Sequence, residues 1–104
     1  RFPDHRIADQ IALAQANALM LAQDWIPARD AFAVFVATRS QSAHMPVALY
    51  WAGKAYLACR QPKDAYLSLA RLIQSYPEST EAKLARGLML EDDRLRNISI
   101  VEEP

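Results

Sequence analysis

The chain has 104 residues, enough for one domain with a modest core. Its 12 Lys and Arg balance its 12 Asp and Glu, so it lacks the basic excess of a nucleic-acid binder. With 52% apolar residues and only two glycines, the composition is that of a globular protein. No apolar run reaches the roughly 18 residues of a transmembrane helix.

Apolar residues recur every three or four positions, which predicts amphipathic helices and an all-α fold of about five helices. The first spans about 4–23 with Asp4 as N-cap, and the second about 26–39. The third covers about 46–59 and the fourth 62–75, and the fifth covers about 79–92 with Ser79 as N-cap. Pro27, Pro46 and Pro62 stand where a first helical turn tolerates a missing N–H. The connectors are short, so neighbouring helices are expected antiparallel. These elements group as units 4–39, 46–75 and 79–92 within a domain covering 1–93. Residues 94–104 are expected to be an extended or disordered tail, with 97–101 (NISIV) the most strand-like stretch. The opening at Arg1, without methionine or leader, suggests a processed form or excised segment.

Self-similarity sharpens this outline. Ala31-Phe32 and Ala65-Tyr66 lie 34 residues apart, as do Arg29-Asp30 and Lys63-Asp64, and Gly53 and Gly87. A helix–turn–helix unit of that period is the mark of the tetratricopeptide repeat. With Pro46 at position 1, Leu49, Gly53, Tyr56, Ala65, Leu69 and Pro77 fall at 4, 8, 11, 20, 24 and 32. Small residues at 8 and 20 let two helices cross closely, and large ones fill the space around them. The unit from Ala12 is weaker in this register, since Leu19 replaces the small residue at 8. The echo of Tyr76-Pro77-Glu78 in Phe2-Pro3-Asp4 implies a first helix nearly two turns longer than its counterparts.

Tyr50-Trp51-Ala52-Gly53 and Tyr76-Pro77-Glu78-Ser79 resemble repeats in bacterial envelope proteins of the Tol–Pal-associated type. The lipoprotein component of the outer-membrane β-barrel assembly machine has similar wording. The resemblance covers roughly residues 2–92 and is strongest over 46–92. It implies stacked antiparallel helix pairs in a short right-handed superhelix, a periplasmic or envelope location, and protein-binding work without cofactor.

In such arrays the first helices line a concave groove. Carried onto this chain, that face holds Leu13, Met20 and Gln23, then Val47, Tyr50, Lys54 and Leu57, then Glu81, Leu84 and Leu88. Ala16, Asp24, Ala58 and Glu91 adjoin it. The mainly apolar surface around one lysine suits an apolar or mixed peptide of a partner protein. The carboxylate clamp of the chaperone-binding version is absent, because its positions hold Ala16, Met20, Trp51, Glu81 and Ala85. The alternative is structural: a spacer or self-associating domain of a larger protein, with Ile7, Ile11 and Leu88 at its ends.

No catalytic constellation emerges, so an enzyme is not expected. His5 and His44 lack ligand neighbours at metal spacing and read as surface residues. Cys59, alone, reads as a buried filler beside Tyr56 and Ala52. Glu91-Asp92-Asp93, followed by Arg94, reads as a solvated helix end. Trp51 is expected to pack between helices, whereas Trp25 fits either core or partner contact.

Overall fold

The computed structural model describes residues 5–39 and 42–95, and all its regular structure is helical. The helices are α1 (His5–Leu21), α2 (Trp25–Thr38), α3 (Met45–Ala58), α4 (Pro62–Ser75) and α5 (Thr80–Glu91). Pro46 and Pro62 occupy first-turn positions of α3 and α4. Ser79 caps α5, its Oγ accepting from the Ala82 N–H at 3.0 Å. Asp4, the Phe2-Pro3-Asp4 echo and the strand-like 97–101 lie outside the described residues.

Two identical turns join the helix pairs. Gln23 (φ 63°) and Arg60 (φ 62°) adopt the left-handed conformation just past α1 and α3. Asp24 N–H then donates to Leu19 C=O at 2.9 Å, and Gln61 N–H to Tyr56 C=O at 2.8 Å. This is the Schellman arrangement, which satisfies carbonyls that a helix end leaves open. The next helix begins two residues after each left-handed residue, so each pair folds back antiparallel within one tight corner.

These turns lie 37 residues apart, not 34. Every one of the fourteen positions of α2 is buried, half-buried or exposed as is the residue 37 later in α4. Ala28, Phe32 and Phe35 therefore match Ala65, Leu69 and Leu72, all in the core. The 34-residue echoes of Ala31-Phe32 and Arg29-Asp30 are thus out of register by three. The cause lies between the units: Met45 comes seven residues after Thr38 at the end of α2, whereas its counterpart Ser79 comes four after Ser75 at the end of α4. In the corrected register Ala16, buried, takes the place assigned above to Leu19 and matches Gly53. Between α3 and α5 the 34-residue spacing holds, because Ala48 and Ala82 are both fully buried at that offset.

The small residue at the crossing has a measurable reason. A Cβ on Gly53 would lie 2.7 Å from Cδ2 and 2.8 Å from Cγ of Leu69, itself fully buried. Helices α3 and α4 therefore approach within the reach of one methyl group. Consecutive helices pack on one another throughout, and α3 also packs on α5. Helix α3 is the hub, supplying Met45, Ala48, Leu49, Ala52 and Ala55 to the core. The longest dimension, 52 Å against 29 and 21 Å, is that of a stack growing in one direction.

Helix α1 begins with the first described residue, so the expected start of that helix at Asp4 lies outside the described residues. Two expectations change. The domain reaches past residue 93: residues 93–95 are helical and Leu95 is fully buried in the core. Arg94 fixes that return by donating to Leu57 C=O at 3.3 Å and pairing with Asp92 at 3.0 Å. Cys59 is half-buried at the end of α3 rather than enclosed.

Candidate interaction surface

The expected face is centred on α3. Tyr50 and Lys54 are one helical turn apart, so their side chains share a side. The Lys54 ammonium lies 5.7 Å from the Tyr50 ring centroid and 5.3 Å from that of Trp51. The two rings meet edge to face at 5.6 Å and 78°. Both aromatics pack on the core from one side, which fixes the platform, and the lysine rests across it. Lys54 makes no ion pair with a carboxylate among the described residues. An ammonium held this way keeps its N–H donors for an incoming acceptor.

Around this centre, Val47, Glu81 and Leu88 are half-buried and Leu84 is 51% exposed. Two residues of the expected set belong to the core instead: Leu13 and Leu57 are each 7% exposed. Gln23 is displaced as well, because it forms the left-handed corner after α1. In the 37-residue register, α1 presents Gln10 and Asn17 where α3 presents Val47 and Lys54. Gln10 and Asn17 were hidden by the register error, and only the repeated burial pattern reveals them. The clamp positions assigned to Ala16 and Met20 likewise move to Leu13 and Asn17, neither of them cationic.

On the opposite side, α2 and α4 diverge over α3 and leave an open groove of 360 Å³. Val36, Leu49, Tyr56, Leu67, Asp64 and Arg71 line it. Burial, with Asp64 adding to it, raises the Tyr56 phenol above its ordinary range. A second open groove between α1 and α2 is lined by Ala12, Leu19, Asp30, Ala31 and Val34. These match Leu49, Tyr56, Leu67, Ser68 and Arg71 at the same 37-residue offset, so both grooves are products of one repeat. Neither concentrates aromatic and cationic groups as the Tyr50–Lys54 face does.

Polar links brace the frame. Arg39 donates to Asp9 at 2.8 Å, tying the end of α2 to α1. Arg29 donates to Gln61 at 2.6 Å, tying α2 to the corner before α4. The Ser42 hydroxyl and then Arg39 hold the Asp9 carboxyl below its usual range, against the opposing effect of burial. Among the described residues, no group of three or more His, Cys, Asp or Glu could hold a metal ion. No described helix is long and apolar enough to cross a membrane.

No family model, curated protein or solved structure matches this chain.

Proposed function

We propose that this chain is a non-catalytic interaction module of the tetratricopeptide type, which holds a partner peptide or protein against the face of α1, α3 and α5. The observation that carries this reading is Lys54, held over Tyr50 and Trp51 without a carboxylate partner among the described residues. Apolar flanks with one oriented cation suit a peptide that pairs aliphatic side chains with a carboxylate. Support for an adaptor in a bacterial envelope assembly is the wording of Tyr50–Gly53 and Tyr76–Ser79.

The test is capture from fractionated cells by the wild type and by Tyr50→Ala/Lys54→Glu, with melting curves to check that both fold. A titration with the captured partner's own peptide follows. The wild type should retain one specific protein, and the variant should bind its peptide at least about tenfold more weakly. Equal binding by both would sink the reading.

Self-association is the second reading, favoured by Ile7 and Ile11, 55% and 53% exposed on α1. It requires a dimer or larger species in sedimentation, dispersed by Ile7→Lys/Ile11→Lys.

A further inference from the structure

Helix α5 repeats α3 at a 34-residue offset, with three faces in the same order. Ala82, Ala85 and Met89 pack inward as Ala48, Trp51 and Ala55 do. Glu81, Leu84 and Leu88 continue the face of Val47, Tyr50 and Lys54. The third face of α3, Leu49, Ala52, Gly53 and Tyr56, is the one that receives α4. Its counterpart on α5 is Lys83, Arg86, Gly87 and Leu90. Where Gly53 has Leu69 within 2.7 Å of an added Cβ, Gly87 has nothing within 4 Å. Leu90 is 71% exposed, and Lys83 and Arg86 are exposed without a carboxylate partner among the described residues. Among the described residues, Arg86 donates to Pro77 C=O at 3.3 Å.

At the same 34-residue offset the position of Leu69 is held by Glu103, an acid in place of the aliphatic knob. From this seat, we propose that α5 docks an amphipathic helix of a partner protein: a large aliphatic side chain enters the notch at Gly87, and carboxylates flank it opposite Lys83 and Arg86. Shape fixes the aliphatic residue, by comparison with Leu69 on Gly53. Charge fixes the carboxylates, because the two positions that are Leu49 and Ala52 in α3 are cationic here. This surface lies on a different side of α5 from Glu81 and Leu84, so it is separate from the face centred on Lys54.

The test uses a helix already known to fit this register. A synthetic peptide of residues 61–76 carries Ser68→Glu and Arg71→Glu. Ser68 bonds the carbonyl of Leu49, whose counterpart is Lys83, so the new acid faces that lysine. Added to the isotope-labelled protein, it should shift the amides of Lys83–Leu90. Lys83→Glu/Arg86→Glu should weaken binding about tenfold or more, and Lys54→Glu should leave it unchanged. Gly87→Leu should abolish it while the protein stays folded, since the added side chain meets open space. Loss of binding on Leu69→Ala in the peptide should accompany this. Absence of shifts on α5, or equal binding by Gly87→Leu, would overturn the proposal. So would self-association of the wild type that Gly87→Leu disperses, because the face would then belong to a second copy of the chain.

Discussion

Two glycines in equivalent places separate packing from propensity. Alanine is preferred to glycine inside a helix by about 1 kcal/mol, and neither glycine has a positive φ that would resist it. At Gly87 nothing opposes that gain, so Gly87→Ala should stabilise by about 0.5–1 kcal/mol in denaturant titration. At Gly53 the new methyl would press on the enclosed Leu69, and overpacking costs about 1–3 kcal/mol. Gly53→Ala should therefore be net destabilising by about 1 kcal/mol. Equal effects at the two sites would mean that the α3–α4 crossing is looser than described. Asp9 gives a test by pH. Its carboxyl is held below the usual value by Ser42 and Arg39, so its stabilising contribution is complete above the unfolded value of about 4. That contribution disappears as pH falls towards the lower folded value. Asp9→Asn should thus melt below the wild type at neutral pH, and the two curves should converge in acid.

At the scale of elements, the corners between helices carry strain that sequence could relieve. Gln23 and Arg60 sit in the left-handed region, where a residue with Cβ costs more than glycine. Arg60→Gly should raise stability by about 0.5–1 kcal/mol, the gain being reduced by the greater freedom of glycine in the unfolded chain. A loss would show that the Arg60 side chain contributes more than its backbone costs. The same corners explain what the sequence concealed. Helix existence and limits followed from periodicity, proline and Ser79, and α4 falls on its expected bounds of 62–75. The repeat register did not follow, because Ala31-Phe32 copies Ala65-Tyr66 in letters while Ala28 and Phe32 copy Ala65 and Leu69 in burial. Alanine at nearly every turn offers several plausible small positions, and only the crossing of the helices selects one. Three residues gained before α3 shifted the α1 side of the expected surface, losing Gln23 and concealing Gln10 and Asn17. Helices α3 and α5 keep the shorter spacing, so Val47, Tyr50, Lys54, Glu81, Leu84 and Leu88 remained legible there. Leu95 was missed because nothing periodic precedes a single buried residue at the end of a charged run.

For the whole molecule, connectivity predicts a gradient of stability. Helix α3 packs on α2, α4 and α5, whereas α1 packs chiefly on α2, and one long face of α5 meets no other helix among the described residues. In a stack where each helix touches only its neighbours, stability is a sum of local terms, and the ends open more easily than the middle. Native-state hydrogen exchange should find the slowest amides in α3 and in the parts of α2 and α4 that cover it. Amides of α1 and α5 should exchange faster, through openings that leave the centre intact. Uniform protection would mean that the five helices unfold as one unit and that the repeat has no energetic counterpart. The gradient also links this scale to the docking face on α5. A helix seated at Gly87 would give α5 a third neighbour, as α3 already has. Protection of α5 should then rise towards that of α3 when the acidic 61–76 peptide is present. Protection of α1, at the far end of the stack, should stay where it was. If α1 rose equally, the peptide would be stabilising the domain as a whole and its effect could not be assigned to the end of the stack.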